Sequence, residues 1–200
     1  MNNMKVLVYG HSYVRDLQSK CQWGDSILVK EKPEKVEYHF RYFCGKDFEF
    51  ILNREGEFDI VDSLAPDVIV VVLGGNSIVN SKTNDQIRTL ILDFFSKLRE
   101  SLPDCTIIAA QIEPRFCDPG NRHGTPEAEE FNRRRTVLNN FMNKTVKKAG
   151  LINYMMLLGS TEFLNHHQYF TDGVHLSGVG LQRYQTAILN TVQYALERKQ

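Results

Sequence analysis

Short apolar runs alternate with longer stretches of helical period along this chain. The runs Lys5–Tyr9, Val36–Tyr42, Val68–Leu73, Thr106–Ile112 and Leu151–Met155 read as strands, because brief β-branched or aromatic segments bounded by turn formers suit strands buried on both faces. Val68-Ile69-Val70-Val71-Val72-Leu73 is the clearest of them and predicts a central strand. Between the third and fourth runs, Thr83 and Gln86 form a capping box, followed at helical spacing by Ile87, Leu90, Ile91, Phe94, Phe95 and Leu98. A further helix opens with Thr125 as N-cap and Pro126 in its first turn, and closes on Lys147, Lys148 and Gly150. A last helix from about Gly180 places Leu181, Tyr184, Ile188, Val192 and Leu196 on one face. Strands that alternate with helices in this way predict an α/β fold of three layers, with a parallel sheet of about five strands between helices.

Composition narrows the class without naming a chemistry. Two hundred residues, 42% hydrophobic and 24% charged, fit one domain over residues 1–200, large enough to bury about 70% of its unfolded surface. Lys+Arg and Asp+Glu both total 24, and no long block of one sign points to nucleic acid or a membrane surface. The densest basic spot, Arg133-Arg134-Arg135, reads as a solvated helix face. The four cysteines, Cys21, Cys44, Cys105 and Cys117, lack the spacing of a zinc or redox motif and read as reduced structural thiols, Cys44 among them as a buried one. The apolar run at Val6–Tyr9 is too short for a signal-peptide core or a membrane span, so the expectation is an intracellular chain with no transmembrane segment.

Four short segments at strand ends carry the chemistry. Gly10-His11-Ser12 follows the first strand and places Ser12 at a helix start, where free backbone N–H groups favour developing negative charge. Cys44-Gly45-Lys46 follows the second, and the bare Gly45 lets its N–H approach a ligand. Gly74-Gly75-Asn76 follows the third, and the Asn76 amide can point two donors into the same site. Thr171-Asp172-Gly173-Val174-His175 precedes the last helix. Its spacing lets the Asp172 carboxylate hold one imidazole nitrogen of His175 while the other faces Ser12. Each segment alone has a plainer reading: a strand-to-helix turn at Ser12, a turn at Gly45, a left-handed residue at Asn76, a helix cap and a surface histidine at Asp172 and His175. His166 and His167, adjacent in sequence, diverge in direction and make poor joint metal ligands. His39 and His123 have no catalytic partner nearby in sequence.

Taken in order from Gly10 to His175, these blocks resemble those of the SGNH (GDSL-like) esterases. The resemblance implies a flavodoxin-like sheet with a shallow site that hydrolyses esters of small-molecule, lipid or carbohydrate type with no metal and no organic cofactor. It also implies Ser12, Asp172 and His175 as catalytic triad, and Ser12, Gly45 and Asn76 as oxyanion hole. Two positions depart from the family pattern. His11 stands where Gly-Asp-Ser has its aspartate, and Ser77 replaces the second acid of Gly-x-Asn-Asp. Similar Gly-His-Ser and Gly-Gly-Asn-Ser variants look like SGNH domains encoded within animal mobile elements. The alternative class is a catalytically weak or inactive SGNH-fold binding or scaffold domain, and only His11 and Ser77 speak for it. A nucleotide-binding sheet is disfavoured because no phosphate-cradling glycine loop occurs.

Overall fold

The computed structural model describes residues 3–30, 32–80, 82–115, 126–155 and 167–199. Strand β1 (Met4–Gly10) leads into helix α1 (Ser12–Lys20); β2 (Ser26–Val29), β3 (Lys32–Tyr42), α2 (Phe48–Leu52) and α3 (Glu57–Leu64) follow. Next come β4 (Val68–Val72), α4 (Gly75–Val79), α5 (Asn84–Ser101), β5 (Thr106–Ala110), α6 (Pro126–Phe141), β6 (Asn153–Met155) and α7 (Gly178–Lys199). The strands lie in the order β2-β3-β1-β4-β5-β6. All neighbours from β3 to β6 pair parallel, whereas β2 pairs antiparallel to β3.

The α/β sandwich and its parallel centre follow the sequence pattern. Alternate residues of β1 serve opposite layers. Val6 and Val8 pack with α1 and with Leu181, Tyr184, Ile188, Val192 and Leu196 of α7. Leu7 and Tyr9 pack with Ile87, Ile91, Phe94, Phe95 and Leu98 of α5. The capping box of Thr83 and Gln86 is formed as expected.

Three features differ from the expectation. The sheet has six strands, because β2 adds an antiparallel edge of four residues in which only Ile27 and Val29 are buried. Helices α2 and α4 have five residues each, too short to show two turns of apolar periodicity, and α3 with eight barely exceeds two. The helix expected to close at Lys147 and Lys148 ends at Phe141 and widens into a π-turn at Met142–Val146, where Lys147 N–H donates to Met142 O at 3.0 Å. Gly150 follows with φ +74° and releases the chain toward β6. Thr125, its expected N-cap, lies outside the described residues.

Candidate active site

The cleft forms where β1, β3, β4 and β5 end. The end of β1 is held on both sides, with His11 N–H donating to Val72 O at 3.3 Å and Phe43 N–H to Gly10 O at 2.9 Å. The backbones approach so closely at Gly10 that a Cβ there would stand 2.1 Å from Val72 O, which excludes any side chain. His11 is the N-cap of α1, its backbone extended and its Nδ1 accepting from Tyr13 N–H at 3.4 Å. Ser12 is thereby the first residue of the helix, with its N–H among those that lack an intrahelical acceptor.

The next two turns are tied together. Gly45 adopts φ +71° in the turn after β3, open on the side where a Cβ would project. Gly74, at φ +115°, lets α4 start directly after β4, and a Cβ there would strike Ile112 Cδ1 at 2.7 Å. The Asn76 amide donates to Lys46 O at 2.9 Å. One amide hydrogen therefore fixes the two turns to each other and the second remains for a ligand, rather than both as the sequence suggested. Ser77, next in the helix, is fully buried, and its hydroxyl has no partner among the described residues.

The fourth segment forms a closed loop before α7. His175 Nδ1 lies 2.6 Å from Asp172 Oδ2. Asp172 Oδ1 accepts from the N–H groups of Val174 at 2.9 Å and His175 at 2.6 Å. Thr171 N–H closes the loop on His175 O at 2.8 Å. Burial pushes the Asp172 carboxyl up, but the hydrogen bonds from the backbone and ring of His175 and from Val174 outweigh it and hold the group at about 2. The carboxylate thus stays ionised, and with Nδ1–H bound to it the His175 Nε2 is the free acceptor. The Tyr13 hydroxyl donates to Val174 O and ties α1 to the same loop.

Ser12, Gly45, Asn76 and His175 line one cavity of about 300 Å³, with Asp172 behind the imidazole. His11, Tyr13, Cys44, Tyr184 and the segment after β5 also reach it. Cys44 is exposed there, contrary to the buried thiol expected, because the turn after β3 carries it to the cleft rim. The His11 side chain caps its own helix through Tyr13 N–H. His39 sits on β3 with its Nε2 3.1 Å from Glu37 Oε1. His123 and His166 lie outside the described residues. Among the described residues no group of three His, Cys, Asp or Glu side chains is placed to hold a metal ion, and no helix is long and apolar enough to cross a membrane.

The stretch from Glu113 to Gly124, with two prolines and two glycines at the end of β5, reads in sequence as a loop that walls the pocket. Gln111, Glu113 and Arg115 line the cleft, while residues 116–124 lie outside the described residues. Ile112 lines the cleft between Gln111 and Glu113 as well, so no period of two in the sequence marks these positions. Glu113 is 7% exposed, and its Oε2 has no partner among the described residues. Burial raises its carboxyl to about 8, with Arg135 and Gln111 pulling it back only in part. Glu57, the other buried glutamate, differs in kind. Arg41 grips both its oxygens, Tyr9 donates to it at 3.0 Å and Arg54 approaches to 3.2 Å. His11 shifts the opposite way, since burial, followed by the charges of Arg115 and His175, lowers its imidazole to about 4.

Known proteins share this architecture. A GDSL-like lipase from Bacteroides thetaiotaomicron superposes with a TM-score of 0.62 at 18% identity, covering 98% of this chain and 89% of that one. A lipase/acylhydrolase from Enterococcus faecalis gives 0.65 at 17% identity, covering 95% of each chain. A peptidoglycan O-acetylesterase gives 0.66 at 12% identity, covering 98% of this chain and 92% of that one. At these identities the likeness is one of fold. No curated protein matches by sequence. The sequence profile of the GDSL-like lipase/acylhydrolase family matches residues 17–183, the greater part of the molecule. The chain therefore belongs to the GDSL-like lipase/acylhydrolase family, a family of ester hydrolases.

Proposed function

We propose that the protein is a serine esterase in which Ser12 attacks a carboxylic ester, His175 is the general base and acid, and Asp172 orients the imidazole. The observation that carries this reading is the Asp172–His175 pair, bonded at 2.6 Å through Nδ1, with the imidazole lining the cleft that Ser12 also lines. His175 takes the Ser12 proton as Oγ adds to the carbonyl, and the tetrahedral oxyanion meets the N–H groups of Ser12 and Gly45 and the remaining Asn76 amide hydrogen. Collapse expels the alcohol, protonated by His175, and leaves an acyl-serine. Water, activated by the same imidazole, then releases the acid. Every group in this sequence comes from the chain itself. The lipase and O-acetylesterase relatives in fold support acyl or acetyl esters of small molecules, lipids or carbohydrates as the substrate class.

The test is labelling of the purified chain by a fluorophosphonate probe, together with hydrolysis of a short para-nitrophenyl ester. Both should be abolished in Ser12→Ala. Undiminished turnover or labelling in that variant would show the nucleophile to lie elsewhere.

A further inference from the structure

Arg115 is held in place from two adjacent residues of α6. Its guanidinium carbon lies 4.5 Å from the centroid of the Phe131 ring. Its backbone is bracketed by the Asn132 amide, which accepts from Arg115 N–H at 3.0 Å and donates to Arg115 O at 2.7 Å. Ring stacking restrains a guanidinium while leaving its in-plane N–H edges free to donate. The side chain is half-buried and lines the cavity that Ser12 and His175 share.

The neighbouring charges are engaged with one another. Arg15 is bound to Asp16 at 2.8 Å, Asp172 is bound to His175, and Glu130 on α6 is bound to Arg133 at 2.7 Å. Glu113 is kept uncharged by burial up to about pH 8. Among the described residues no close ion pair holds Arg115, and the Asp172 carboxylate acts on its charge only from beyond ion-pair distance. A rigid, partly desolvated guanidinium beside a nucleophile is arranged for planar, two-point binding of an anion. It also needs little reordering on binding, so little affinity is lost to it.

We infer that Arg115, stacked on Phe131 and clamped by Asn132, forms an anion subsite that selects esters bearing a carboxylate or comparable acidic group near the scissile bond. The inference rests on the esterase reading above. It narrows the substrate class from esters in general to esters of acidic molecules, with the anion on either the acyl or the alcohol side.

Two substrate pairs separate the sides. For the alcohol side they are para-acetoxybenzoate and its neutral isostere para-acetoxybenzamide. For the acyl side they are mono-para-nitrophenyl adipate and the corresponding adipamide ester. In the full chain the anionic member of at least one pair should have a kcat/KM about tenfold or more above its neutral partner, expressed mainly in KM. In Arg115→Gln the ratio should fall to about one, and Arg115→Lys should restore part of it. Reading the ratio within each protein cancels any general loss of activity. A wild-type ratio of one or less in both pairs, or a ratio that survives Arg115→Gln, overturns the subsite. Calorimetric binding of the same four compounds to Ser12→Ala, with and without Arg115→Gln, gives a readout independent of turnover. Anion preference lost with Arg115 upholds the subsite even if Ser12 is not the nucleophile, and equal binding of acid and amide refutes it.

Discussion

Glu113→Gln should convert a pH-dependent stability into a flatter one. Burial holds the Glu113 carboxyl at about 8 in the folded protein against an ordinary value of 4.5. Below pH 4.5 the group is protonated in both states and has no pH-linked effect. Between 4.5 and about 8 the folded protein retains a proton that the unfolded chain has released, so stability falls as pH rises. The slope is about 1.4 kcal/mol per pH unit, and the accumulated loss is on the order of 4 kcal/mol by pH 8. Glutamine matches the shape of the protonated acid and cannot ionise. The stability of the variant relative to wild type should therefore be nearly constant at and below pH 4.5 and then climb, reaching a few kcal/mol at pH 8.

Urea unfolding of both proteins at several values from pH 4.5 to 8.5 reads this difference directly. Any constant offset from the fit of the amide shifts all points equally and leaves the slope intact. His11 acts in the opposite sense. Its folded value of about 4 lies below the ordinary 6.5, so the unfolded chain binds the extra proton and stability drops as pH falls through that window. That contribution is common to both proteins and cancels in the difference. A difference in unfolding free energy that is flat across the range would show that Glu113 is ionised in the folded protein, and the uncharged floor assigned to the cleft would be wrong.

Asn76→Ala should lower kcat by about a hundredfold to a thousandfold while leaving a measurable rate, as loss of one oxyanion donor does elsewhere; a loss below about threefold in ester turnover would remove the amide from the oxyanion hole. Tyr13→Phe deletes the hydroxyl that holds Val174 O and should cost about 1–3 kcal/mol in denaturant unfolding. It should also lower kcat with little change in KM, because the bond positions the His175 loop and not the substrate, and a change confined to KM would contradict that role. Ser77→Ala removes a fully buried hydroxyl that has no partner among the described residues and should raise stability by about 1 kcal/mol; a thermal midpoint lowered by several degrees would reveal a partner for that oxygen.

Wherever the layers depend on apolar period, the fold was legible in the chain. The β-branched run at Val68–Val72 became the central strand β4, and all five apolar positions assigned to the last helix are buried against the sheet. Features decided by single turns or by tertiary partners were not legible. Strand β2 has four residues and exists by pairing Ser26–Val29 with Lys35–Lys32, a register no local pattern encodes. The π-turn at Met142–Val146 likewise has no local signature. At the site, the order of blocks brought the five expected residues to one place, yet Tyr13, Glu113, Arg115 and Tyr184 were not read as lining it. Each reads in sequence as an ordinary core or loop residue and gains its role from what surrounds it. Glu113 shows the difference most clearly, since an acid three residues past a strand is unremarkable until burial, which Arg135 offsets only in part, makes it neutral.

The two departures from the family pattern have physical consequences beyond loop support. An aspartate before Ser12 would cap α1 with a negative charge. Here the cap is an imidazole nitrogen, accepting at 3.4 Å from Tyr13 N–H, and it can accept only while unprotonated. Burial and the charges of Arg115 and His175 keep it so down to about pH 4. The helix start is thus preserved without a formal charge. At position 77 an acid would bury a carboxylate where Ser77 finds no hydrogen-bond partner among the described residues, a cost larger than that of a lone hydroxyl. Both replacements remove negative charge from the neighbourhood of Ser12. His11 sits close enough to Arg115 to be depressed by its charge, so an aspartate there would partly neutralise the guanidinium. With histidine in its place, the charge of Arg115 remains available to a ligand, and the unusual Gly-His-Ser and Arg115 belong to one electrostatic arrangement.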